Sequence, residues 1–98
     1  MALNEPVIGQ NNAVGASSFY TIQPASGDAY IIMNMWSDQS MEIYMSDGSS
    51  DVLVNNASGT PKALALFKYF VNNSNYMKIK NVGSTTASIG YSGMQILD

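Results

Sequence analysis

Short β-favouring runs recur about every ten residues along this chain, each closed by Gly, Pro, Asn or Ser, and no helical period competes with them. Seven runs are legible: residues 18–23, 29–36, 41–45 and 51–55, two within 63–82, and 86–97. That spacing predicts an all-β chain, an antiparallel sandwich or small barrel. The clearest stretch is 63–82, ALALFKYFVNNSNYMKIKNV, where a polar Asn72-Asn73-Ser74-Asn75 break between apolar runs predicts a hairpin. Its second run alternates Met77 and Ile79 with Lys78 and Lys80, one face for a core and one for water or a partner. A second hairpin is predicted where Asp47-Gly48 supplies a positive φ between 41–45 and 51–55.

Residues 29–36, AYIIMNMW, are apolar on both faces: Tyr30, Ile32, Asn34 and Trp36 on one, Ile31, Met33 and Met35 on the other. Either set is a candidate core face, and a run apolar on both sides is expected in the middle of a sheet or with its second face covered by an arm or a partner chain. Pro24 ends the first strand because it has no N–H for a ladder. Gly90 and Gly93 interrupt the last run and predict a bulge or a close backbone approach.

Residues 1–17 have no sustained period, yet carry Leu3, Val7, Ile8 and Val14, too apolar for a solvated tail. They are read as an extended N-terminal arm preceding a sandwich domain at 18–98. Ninety-eight residues leave room for one core only.

The missing residue types narrow the function. With no His and no Cys, the commonest general base, metal ligand and thiol nucleophile are gone, as are disulfides. A glycosidase-like carboxylate pair would need two acids facing across a cleft, but most of the seven acids sit in Gly- and Ser-rich turns. Asp47 to Asp51 could offer oxygen ligands to calcium, but the EF-hand spacing is absent and a hairpin turn explains the stretch better. No enzyme, cofactor or metal site is expected. Four Lys, no Arg and a net charge of −3 argue against nucleic acid. No apolar run reaches the ~18 residues of a membrane span, and MALNEPVIGQ lacks the features of a signal peptide, so synthesis in a cytoplasm is expected. Only 11% of residues are charged, and the polar, uncharged surface this implies suits a protein packed against other protein. Seven Met, which adapt to irregular contacts, fit the same picture. Trp36 and the six Tyr leave a sugar-stacking platform open as an alternative. Partner-binding candidates are Leu3, Val7, Ile8 and Val14 on the arm, and Lys78 and Lys80 on the charged strand face.

The runs FYTIQPASGDAYIIMNMW, MEIYMSDGSSDVLV, FVNNSNYMKIKN and YSGMQI resemble small virion proteins of tailed bacteriophages, over residues 18–96. The resemblance implies a jelly-roll-like sandwich on the capsid exterior, a decoration (cement) protein held on the major capsid protein or another shell protein. It also implies a homotrimer strapped by terminal arms. A fibre-type receptor- or carbohydrate-binding module of the same fold is the alternative.

Overall fold

Two antiparallel sheets face one another in the computed structural model, which describes residues 5–58 and 68–97 and the backbone of residues 62–64. In chain order the strands are β1 (Pro6–Val14), β2 (Phe19–Ile22), β3 (Ala29–Ser37), β4 (Met41–Ser46), β5 (Asp51–Ala57), β6 (Lys62–Leu64), β7 (Tyr69–Asn72), β8 (Tyr76–Asn81) and β9 (Ala87–Leu97). Sheet A runs β1-β9-β3, with β6 and β7 both paired to the far edge of β3; sheet B runs β2-β8-β4-β5. β6 faces Met35 to Ser37 and β7 faces Ala29 to Ile32, so the two form one interrupted edge. The expected all-β sandwich is present. Two strands exceed the seven expected, one of them β1, which lies within residues 1–17.

Most links cross between sheets instead of turning back within one. The 63–82 stretch is the main correction. β7 pairs with β3 in sheet A while β8 pairs with β2 and β4 in sheet B, so the Asn-rich break is an arch between sheets, not a hairpin turn. Local chemistry reads the same either way. Asn72 Oδ1 accepts from the N–H groups of Ser74 and Asn75 (3.0 and 2.8 Å), and the Asn72 N–H donates to the Asn75 carbonyl. What bends the chain across is tertiary: Gln23 Nε2 donates to the Asn73 carbonyl and Asn73 Nδ2 to the Pro24 carbonyl. The β4–β5 hairpin is as expected. Gly48 has φ +93°, and Asp47 Oδ1 accepts from the N–H groups of Ser49 and Ser50.

Inward side chains of both sheets make the core: Ile22, Met41, Ile43, Met77 and Ile79 from sheet B, and Val14, Ile32, Met35, Val71, Ala87 and Ile89 from sheet A. In β3 the inward set is Tyr30, Ile32, Met35 and Ser37. A register shift between Ile32 and Asn34 leaves Met33 unpaired and exchanges the two faces midway. Neither alternating set of the sequence is therefore the core face by itself. Asn81 closes the end of the sandwich where β1 and β8 finish. Fully buried, it donates from Nδ2 to the carbonyls of Val14 and Thr85 and accepts from the Gly83 N–H.

Candidate interaction faces

Strand alternation sends half of each strand outward, and the two outward faces differ in chemistry. On sheet A, cross-strand register lines up Pro6, Met94, Ile31 and Phe70 in one row over β1, β9, β3 and β7. Phe70 is 62% exposed, and Ile8 beside the row is 72% exposed. The next rows are uncharged. Asn34 Nδ2 donates to Ser92 Oγ, and Trp36 lies over Gly90 and donates from Nε1 to Gln10 Oε1 at 3.1 Å. The sequences of β1, β3, β7 and β9 contain no Asp, Glu, Lys or Arg.

The outward face of sheet B is polar and charged. Lys78 Nζ pairs with Asp51 Oδ2 at 3.1 Å and stands 5.5 Å from the centroid of the Phe19 ring; Lys80 Nζ is 5.8 Å from the same ring. Phe19 meets Tyr44 edge-on, with centroids 5.7 Å apart, and the Tyr44 hydroxyl donates to Glu42 Oε1 at 2.6 Å. That hydrogen bond, before desolvation, raises the Tyr44 pKa. A hydrogen bond with the Ser46 side chain, and then Lys78, hold Asp51 below the usual carboxylate range. At the free edge of this sheet β5 presents Val52, Leu53 and Val54 to solvent in succession; Val54 is the extra residue of a bulge opposite Ile43 and Tyr44.

The third feature is an acidic end. The turns at 23–28, 47–50 and 73–75 gather there, with Glu5 held by the Gln95 N–H to Glu5 carbonyl bond. Glu5, Asp28, Asp47 and Asp51 all lie at this end, where a shallow pocket of about 220 Å³ beside the β4–β5 turn is lined by Met45, Ser46, Asp47, Ser50, Val52 and Asn75. Asp47 is held below its ordinary pKa by the Ser50 and Ser49 N–H groups. The Asp47–Asp51 oxygens are thus engaged as turn and ion-pair partners. No cluster of three or more His, Cys, Asp or Glu side chains able to hold a metal gathers among the described residues.

The sequence-predicted partner residues separate. Val7 and Val14 are buried against their own domain, whereas Ile8 points outward from the same strand. Lys78 and Lys80 come together beside Phe19; Leu3 lies outside the described residues. Sequence reading missed the Pro6–Met94–Ile31–Phe70 row, because it depends on register between strands distant in the chain. Its one visible signal was the two-sided apolarity of residues 29–36.

No family model matches the chain, and no curated protein matches its sequence. Solved structures do match in fold. The nucleoplasmin-like N-terminal domain of Drosophila FKBP39 superposes with a TM-score of 0.65 at 15% identity, over 100% of this chain and 93% of that one. The Drosophila NLP core superposes with a TM-score of 0.54 at 12% identity, over 93% and 97%, and its structure bears on pentamer formation and histone binding in that protein. The fold is nucleoplasmin-like.

These neighbours correct the bacteriophage reading. The virion resemblance, the capsid-decoration role with its fibre-type carbohydrate-binding alternative, the capsid-protein partner and the capsid-exterior location are not supported, since these two matching structures are nucleoplasmin-like domains of Drosophila proteins. The homotrimer likewise gives way, the comparable assembly being a pentamer. The physical reason is plain: the likeness rested on a succession of strands and turns, which any small sandwich of this topology requires.

Proposed function

We propose that this chain is a non-catalytic, self-assembling binding module of nucleoplasmin-like architecture, a pentamer that receives basic proteins of the histone kind on its acidic end. The observation that carries the reading is the uncharged outward face of β1, β9, β3 and β7, with an apolar row across it. A row such as Pro6, Met94, Ile31 and Phe70, unrelieved by any charge on four strands, suits the desolvated centre of a protein interface. The full-length likeness to a fold that forms a pentamer in the Drosophila NLP core supports self-assembly. Basic partners suit a net charge of −3 and four carboxylates at one end, which a ring repeats once per copy.

Light scattering during size-exclusion chromatography tests the assembly: the expected mass is five times the 10.5 kDa chain, and a single-chain mass overturns it. Titration of core histones tests the partner. Binding that weakens steeply with salt and is reduced by Asp28→Asn with Asp47→Asn is expected; no binding at low salt overturns it.

A further inference from the structure

A ring of identical subunits needs two different patches on each, one to offer and one to receive, whereas a face that meets its own copy makes only a two-fold pair. The exposed large apolar side chains fall mainly into two groups. Ile8, Phe70 and Leu97 belong to strands of sheet A; Val52, Leu53 and Val54 follow one another on β5. We infer that each subunit seats the β5 rim of its neighbour, Val52-Leu53-Val54, on its own outward face of sheet A around Ile31, Met94 and Phe70. This assignment rests on the self-assembly proposed above and names its two surfaces.

Three observations favour that pairing. The outward face of sheet B is the other broad face, but covering it would bury Lys78, Lys80, Glu42 and Asp51, and desolvating charges opposes association. The β5 rim has no such cost at Val52 to Val54, and no described strand pairs with its outer edge. The patches also lie on adjoining sides of the sandwich: sheet A's face is a broad side, and β5 is the lateral edge of sheet B. Head-to-tail contacts between opposite sides propagate an open filament, whereas contacts between adjoining sides turn the chain of subunits back on itself after a few copies.

The chain has no Cys, so introduced thiols report without background. Ile31→Cys and Phe70→Cys mark one patch; Leu53→Cys and Val54→Cys mark the other. Variants carrying one substitution from each patch are oxidised with copper phenanthroline, and folding is checked by circular dichroism. The expected result is a ladder of covalent species up to five chains from the double variants, no cross-linked product from any single variant, and only pairs when two singles are mixed. Cross-linking of a single variant to itself would show a face-to-face contact and overturn the assignment while leaving self-assembly standing. So would an assembled mass with no cross-link from any of the four pairs. A single-chain mass for the unmodified protein would overturn the self-assembly reading and this inference together. Leu53→Lys gives a check independent of disulfide geometry: it should reduce the assembly to single chains, whereas Thr21→Lys on the outward face of sheet B should leave the mass unchanged. The reverse pattern overturns the assignment.

Discussion

Sheet A and sheet B enclose the same core but were built from different residues. β1, β3, β7 and β9 carry no charged residue and three glycines; β2, β4, β5 and β8 carry Lys78, Lys80, Glu42 and Asp51 and no glycine. Each difference has a consequence. Charges on an outward face keep it in water, because burying them requires partners for each. Glycine removes the side chain that would otherwise hold a neighbouring group away, so Trp36 can lie flat on Gly90 and the Ile31 backbone can approach Gly93. The result, over the described side chains, is one face without charge on β1, β9, β3 and β7 and one charged, solvated face on sheet B of the same small domain.

The sharpest way to break this comparison is to put the same charge on both faces. Phe70→Glu places a carboxylate in the apolar row, and Phe19→Glu places one beside two ammonium groups. The first should abolish the multimer, as read by light scattering, and the second should leave it assembled. Equal effects from both would show that the two faces do not differ in role.

Next in size is the glycine dependence of sheet A. A Cβ on Gly93 would collide with the Ile31 carbonyl oxygen, and backbone cannot step aside as a flexible side chain can. Gly93→Ala should therefore destabilise the fold by about 1–3 kcal/mol, measured by urea unfolding. Thr21→Ala on the outward side of β2 should change stability by less than about 0.5 kcal/mol. Between these lies a pair of asparagines. Asn81→Ala strips three hydrogen bonds from a fully buried site and should cost about 2–3 kcal/mol. Asn34→Ala removes one half-buried bond to Ser92 and should cost about 0.5–1.5 kcal/mol.

How much of this was readable beforehand follows from the range of the interactions. Turn chemistry is local, so the Asp47-Gly48 hairpin and the Asn72–Asn75 turn were legible from a few adjacent residues. Pairing is not local. The strands flanking Asn72–Asn75 look like a hairpin because each suits a sheet, but their partners are β3 on one side and β2 and β4 on the other. Parity is still less visible. A single unpaired residue at Met33 turns over the faces of β3, and a similar irregularity between Asn11 and Val14 lets both Val7 and Val14 point inward from β1. Strict alternation therefore assigns half of each strand to the wrong side. The outward apolar row was foreshadowed only by residues 29–36, apolar on both faces, one of which holds Ile31 in that row.

Between the sheets, Tyr20 of β2 and Tyr91 of β9 stand 6.1 Å apart, and burial first, then the neighbouring Tyr20 and Tyr30, pushes the Tyr91 hydroxyl up to about 12. Its folded pKa lies above its unfolded value near 10, so the stabilisation is complete below pH 10 and is lost as pH rises toward 12. Unfolding between those limits should be shallower in Tyr91→Phe than in the parent chain, followed by tyrosinate absorbance.

The smallest effect distinguishes the sheets at the acid side. Asp51 and Asp47 have folded pKa values below their ordinary value of 3.8, the first through the Ser46 hydrogen bond and Lys78, the second through the Ser50 and Ser49 N–H groups. Depressed carboxylates stabilise above the unfolded pKa and lose that contribution as pH falls through the folded one. The contribution of these two groups is therefore lost below about pH 4, and both sit at the β4–β5 turn of sheet B. Both groups are solvent-exposed, so screening keeps the effect small and salt-sensitive. Lys78→Ala should shrink the fall in urea midpoint between about pH 5 and pH 2.5 without abolishing it, because the Ser46 hydrogen bond to Asp51 remains. Asp47→Ala should shrink it too, but less than additively with Lys78→Ala, because the Asp47 charge opposes the lowering of Asp51 and its removal lowers that group further. An acid-side fall unchanged in the double variant would place its origin outside the β4–β5 turn and remove the electrostatic half of the contrast between the sheets, leaving the packing half to stand on Gly93 alone.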